Sequence, residues 1–118
     1  MTNKVFIKHG KNWGLDEKKV MQLALKVLVD FGLKGVELSL LFCGRVRAKK
    51  LNMKYRQMSY VPQVLSFGLN SDRDGDGLMR LGDVVICNEK FKYEVKFSGK
   101  KTDEVLEEWL RHGVEGLI

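Results

Sequence analysis

The sequence has one proline, Pro62, among 118 residues, and it has no internal repeat, linker or low-complexity segment. That excludes a proline-rich or modular chain, and residues 1–118 read as a single domain. A chain of this size buries about two thirds of its unfolded surface and holds a core without staples. Cysteine is nearly as scarce. Cys43 and Cys87 both fall in apolar runs and read as small core residues rather than a disulfide pair, a usage that fits a reducing cytosol. No apolar run approaches the roughly 20 residues that cross a bilayer. The opening stretch, Met1-Thr2-Asn3-Lys4-Val5-Phe6-Ile7-Lys8, lacks the apolar core of a secretion signal. The expected location is therefore cytoplasmic, away from membranes.

Acidic residues are also in short supply: 15 Asp and Glu stand against 21 Lys and Arg, giving a net charge of +6 and a pI near 9.4. Most of the excess lies in Lys8–Lys19, Arg45–Arg56 and Lys90–Lys101. Such a balance has two readings, a solvated basic surface or a face for an anionic partner.

What is present is an alternation of short strands and amphipathic helices. Val5-Phe6-Ile7 reads as a strand ending in a polar turn at His9-Gly10-Lys11-Asn12, which makes His9 a surface residue without a role. Asp16 is placed to cap a helix whose apolar positions, Val20, Leu23, Ala24, Val27, Leu28 and Phe31, recur at the 3.6-residue period, with Gly32 stopping it. Val36 to Cys43 is a strand with Val36, Leu38, Leu40 and Phe42 on one face. Arg45 to Tyr55 returns to helical spacing through Val46, Ala48, Leu51, Asn52 and Tyr55. Val64–Phe67, opened by Pro62, and Leu81–Cys87 are short, β-branched or aromatic runs of the buried-strand type. Glu89–Phe97 reads as a helix turning Phe91, Val95 and Tyr93 to the sheet. A last helix, N-capped by Thr102 with Asp103 and Glu104 at its positive end, runs through Val105, Leu106, Trp109 and Leu110 to His112. The fold class is α/β (α+β): a four-stranded mixed sheet covered by helices, in the order β-α-β-α-β-β-α-α.

One loop invites a metal. Asp72, Asp74 and Asp76 with Gly77 match the start of a calcium-binding loop, and Asp83 falls at its twelfth position. The loop joins two strands rather than two helices, and Asp83 belongs to the second of them, so a polar hairpin loop is the better reading.

Several of these residues carry a family resemblance. Leu51-Asn52, Tyr55-Arg56, Val64-Leu65-Ser66-Phe67, Leu81-Gly82-Asp83-Val84-Val85-Ile86 and His112-Gly113, taken in order across residues 4–118, resemble the bacterial YbeY family of rRNA maturation factors. The resemblance implies a metal-dependent single-strand endoribonuclease, a hydrolase acting in 16S rRNA 3′-end maturation and ribosome quality control. It implies rRNA and ribosomal proteins as partners, and neither DNA nor membrane. Arg56 stands where the family's arginine handles the RNA phosphate; the alternative is an exposed helix-end arginine that complements the helix dipole. Arg45, Arg47, Lys49, Lys50 and Lys54 are the RNA-binding candidates.

The departures are as informative. The family's His-x3-His-x5-His pattern supplies three zinc ligands, the first two sharing a helix face. Here His112 fills the first position, Gly116 stands at the second, and the third falls beyond Ile118. Pro62-Gln63 replace the family's Thr-Asp or Thr-Asn. The ligand count implies weak zinc or none, and with it two alternatives: a non-catalytic basic RNA- or ribosome-binding relative, or a fragment of the enzyme shortened at its C-terminus.

Overall fold

Strict alternation along Val36-Glu37-Leu38-Ser39-Leu40-Leu41-Phe42-Cys43 gives one strand two usable faces, and the computed structural model is built around it. It describes residues 2–11, 13–68 and 78–118. In chain order the elements are β1 (Lys4–His9), α1 (Glu17–Asp30), β2 (Val36–Cys43), α2 (Arg45–Arg56), β3 (Val64–Gly68), β4 (Met79–Cys87), α3 (Asn88–Ser98) and α4 (Thr102–Glu115). The strands form one mixed sheet in the order β1-β2-β4-β3. β1, β2 and β4 run parallel, and β3 pairs antiparallel with β4 at the edge. β2 and β4 are apolar along the main-core face and mixed along the other, where Ser39 and Asp83 alternate with Leu41 and Val85 because that face is only partly covered.

The two faces are unequal. Val5, Leu38, Leu40, Phe42, Val84 and Ile86 enter the main core, which α1, α3 and α4 close with Leu28, Phe91 and Leu110 among others. The opposite face carries a smaller cluster of Cys43, Leu65, Val85 and Cys87, packed against Ala48 and Leu51 of α2 and Val61 of the connection to β3. Cys43 and Cys87 face each other across paired strands as free, buried thiols, and burial pushes the Cys43 thiol above its ordinary pKa.

Local chemistry sets the helix ends. The Asp16 carboxylate accepts the Lys18 backbone N–H at 3.0 Å and caps α1. Gly32, at φ +75°, ends it. Val20, Ala24, Val27 and Leu28 are buried, with Leu23 and Phe31 half-buried on the same stripe.

Four expectations are corrected. His9 is the last residue of β1, and its ring stacks on Trp13 with centroids 3.9 Å apart. Thr102 is the first helical residue of α4; Lys101 takes the cap position, without a side-chain bond. In α2 the buried face narrows to Ala48 and Asn52, and Val46 and Tyr55 are exposed, since a helix with six cations lies over only part of a sheet. Tyr93 faces out of α3 and pairs with Phe97 instead. The Asp72-Asp74-Asp76 loop lies outside the described residues, while Asp83 sits within β4. Among the described residues, no helix is long and apolar enough to cross a membrane.

α1 and α4 are also joined by ions. Arg111 donates to Asp30 and to Glu107, and Lys26 reaches Glu107 at 3.1 Å and Asp30 at 3.5 Å. The Arg111 hydrogen bond holds Asp30 below its ordinary 3.8, and bonds from Arg111 and Lys26 hold Glu107 below its ordinary 4.5. A carboxylate depressed in the folded state contributes stability above its unfolded pKa and loses it as pH falls through the folded one. Arg111→Ala should therefore lower the melting temperature slightly at pH 7, and by the same amount at about pH 6. The gap should begin to close as the solution is acidified below 4.5, where the Glu107 contribution starts to fade, and close further below 3.8, where that of Asp30 follows. A gap unchanged at that acidity would show that Arg111 acts through packing alone.

Candidate active site

The last turn of a helix leaves carbonyls with no partner inside the helix. In α4 the Leu117 N–H turns back to the Val114 carbonyl at 2.9 Å, so the Gly113 carbonyl is left over. It accepts instead from the Ser66 hydroxyl of β3 at 2.7 Å. That bond needs the helix close to the sheet, and Gly113 permits the approach. A Cβ there would stand 2.5 Å from Val84 Cγ1 and 3.3 Å from Val64 Cγ1. The end of α4 is thereby seated on β3 and β4, which places its neighbour His112 at the edge of the sheet.

Arg56 comes to the same edge from α2. Asn52 is fully buried, and its side-chain N–H donates to the Tyr60 carbonyl at 3.0 Å. Gln57 adopts the left-handed conformation (φ 56°), with N–H bonds from Gln57 and Met58 back to Met53 and Asn52. Together these end the helix at Arg56 and turn the chain toward β3.

Arg56, Val64, Ser66, His112, Glu115 and Gly116 line an open cleft of about 390 Å³. Of the sequence-derived site residues, the fold brings Arg56 and His112 together, from positions 56 residues apart in the chain. Arg45, Arg47, Lys49, Lys50 and Lys54 lie along α2, all exposed and outside this cleft. Arg45 is 3.9 Å from Glu89, and Lys54 lies 5.1 Å from the Tyr55 ring centre.

Three residues go beyond that reading. Glu115 lines the cleft with His112; the signal was their i, i+3 spacing, which puts both on one helix face. Ser66 bonds the helix end, and Asn52 pins the turn. A lone asparagine on the apolar stripe of a charged helix is its mark in the sequence.

The donors can be set against a metal. A catalytic zinc takes three protein ligands and keeps a fourth position open. The cleft offers one imidazole and one carboxylate, and Gly116 has no side chain to ligate with. Among the described residues there is no group of three or more His, Cys, Asp or Glu that could hold a metal ion. The residues present do not fit a three-ligand zinc centre.

A family model described as "Endoribonuclease YbeY" matches residues 7–117. The chain belongs to the YbeY family. Its relatives include proteins named Endoribonuclease YbeY from Treponema denticola (29% identical, covering 85% of this chain and 66% of that protein), Anaeromyxobacter dehalogenans (31%, 86% and 51%) and Bartonella bacilliformis (33%, 90% and 71%). The chain thus spans about half to two thirds of the first two. The fold is shared with a Thermotoga maritima protein solved in solution, at 20% identity and a TM-score of 0.62, covering 96% of this chain and 71% of that one.

In this YbeY-family domain the seat of α4 can be tested directly. Gly113→Ala must push the helix off Val84, at a cost of about 1–3 kcal/mol as for other overpacked sites. In the Gly113→Ala/Val84→Ala double variant that room returns, so the two losses should fall short of additive by urea denaturation. Full additivity would mean that the close approach at Gly113 is not what fixes the helix.

Proposed function

We propose that this YbeY-family chain binds single-stranded RNA and acts on its phosphodiester backbone, in the maturation of the 16S rRNA 3′ end and in ribosome quality control, in the cytoplasm. The observation that carries the proposal is the meeting of Arg56 and His112 in one open cleft. A guanidinium gives a phosphate two parallel hydrogen bonds and stabilises charge that builds on its oxygens. An imidazole beside it has the chemistry to take or give a proton in the reaction. The names of the relatives support RNA cleavage as the reaction, and the net charge of +6 suits an RNA ligand.

Binding and chemistry are separable. Affinity for an unstructured RNA should fall about 10-fold or more between roughly 50 and 200 mM salt, as lysines and arginines displace phosphate counterions. Arg56→Ala should reduce any cleavage by about 100-fold, with a much smaller loss of binding. Affinity that ignores salt would count against a basic RNA face, and an equal loss of binding and cleavage would remove Arg56 from the reaction.

Gly116 favours a second reading, a relative that binds RNA or the ribosome without cutting. Zinc is the assay that bears on it. With one imidazole and one carboxylate, the 118-residue chain should retain far less than one equivalent after dialysis, and should cleave poorly unless a partner completes the site. Gly116→His should raise zinc retention modestly. A Cβ there lies 3.1 Å from Ser66 Oγ, so the serine has to give by a few tenths of an ångström. Near-stoichiometric zinc in the unmodified chain would refute this ligand count.

A further inference from the structure

The sheet has a second concave surface, on the face away from α1, α3 and α4. There the registers of three strand pairs line up Phe6, Ser39, Asp83 and Phe67 in a single row across all four strands. At about 4.8 Å per strand, the two phenyl rings stand roughly 14 Å apart with a hydroxyl and a carboxylate between them. α2 covers only part of this face, and Phe6 remains 50% exposed. The result is a groove of about 410 Å³, floored by this row and walled by Leu51 and Tyr55 of α2. Tyr55 is 52% exposed, and its ring backs onto Phe67 with centroids 4.5 Å apart.

The rim is cationic. Lys8 of β1 and Arg47 of α2 both line the groove, and α2 contributes six cations and no carboxylate. Asp83 is the acidic residue on the floor. A carboxylate there repels phosphate from the floor but accepts N–H groups from base edges.

We infer that this groove binds unpaired nucleotides of an RNA strand. Bases stack on Phe6 and on the Tyr55–Phe67 pair, Lys8 and Arg47 hold the phosphates at the rim, and Ser39 and Asp83 meet the base edges. Aromatic rings on an open sheet face with cations beside them are what single-stranded RNA requires, because its bases offer π-faces that a duplex conceals. Charge complementarity is what selects RNA over an apolar protein segment as the occupant. The groove also adjoins the cleft. Tyr55 lines one and Arg56 the other, and so do Phe67 and Ser66, consecutive residues on opposite faces of the edge strand. RNA held on the groove can thus pass round β3 to the cleft. The inference rests on the RNA reading above.

The test is fluorescence anisotropy of the full chain with a labelled oligoriboadenylate of about 10 nucleotides, a length within the usual single-strand site sizes, and with the same strand annealed to oligouridylate. Phe6→Ala should weaken single-strand binding about 10-fold and leave duplex binding unchanged. Phe6→Trp should restore it, whereas Phe6→Leu, apolar but without a π-face, should not. Lys8→Ala should lower the salt slope by about one phosphate contact. Circular dichroism melting of each variant confirms that it is folded. Salt-dependent RNA binding that all the Phe6 variants leave intact would overturn the groove while sparing the RNA reading. Recovery by Leu equal to that by Trp would overturn it in favour of an apolar protein-docking face. Absence of RNA binding by the unmodified chain at low salt would refute the RNA reading itself, and the groove with it.

Discussion

The seat of α4 on the sheet at Gly113 is the constraint on which the functional edge depends. A helix normally stands off from a sheet because side chains intervene. At Gly113 there is none, and the backbone itself meets Val84 and Val64. The approach lets the Ser66 hydroxyl satisfy a carbonyl that the helix end had left over, and burying that carbonyl unpaired would have cost about 1–3 kcal/mol. Steric room and a hydrogen bond therefore fix the same point. They also explain why His112 and Gly113 act as a unit: the glycine places the helix, and the preceding residue is held at the sheet edge.

The same edge separates two kinds of surface. β3 is short and exposed on one side, so alternate residues along it reach both faces within a few ångströms of sequence. Ser66 serves the cleft and Phe67 the groove. α2 repeats the division at its last turn, where Tyr55 and Arg56 part to either side. That turn is fixed from below by Asn52, whose side-chain N–H donates to the Tyr60 carbonyl. Leaving that buried N–H and carbonyl unpaired would be costly, so the bond holds the turn. The position of Arg56 is thus a consequence of buried polar chemistry three to four residues earlier in the helix.

Much of the fold was legible in the sequence, and the reason is periodicity. α1 combined a 3.6-residue stripe with a capping aspartate and a stop glycine. β2 and β4 carried a continuous apolar face and a second, mixed face, as strands inside a partly covered sheet do. α2 was legible as a helix, but how much of it is buried has a tertiary cause. Its apolar residues had the right spacing, but the sheet beneath buries Ala48 and part of Leu51, while Val46 stands in solvent and the half-exposed Tyr55 meets the sheet at Phe67. In the site, Arg56 and His112 were recognisable from motif order. Glu115 was not, because an ideal helix turns it about 100° from Gly116; its neighbour in space is His112, a comparison that the missing ligand position obscured. The groove could not be read at all, since the row from Phe6 to Phe67 exists only once the strand registers are set.

The cleft's composition argues for what has been kept and what has been given up. Gly116 supplies no side-chain metal donor, and its N–H is committed to the His112 carbonyl at 3.2 Å. Arg56 needs no metal to hold a phosphate, since a planar guanidinium donates two parallel hydrogen bonds on its own. On the proposed RNA reading, a site with the arginine, one imidazole and a carboxylate but without a full donor set serves recognition of an RNA backbone better than its hydrolysis. The carboxylate bears on the same point. Glu115 at the rim would repel a phosphate if it stood alone, and Arg56 across the cleft offsets that repulsion. The pairing favours a ligand that brings a phosphate to the arginine side and a hydroxyl or base N–H to the glutamate side, which is the chemistry of a ribonucleotide.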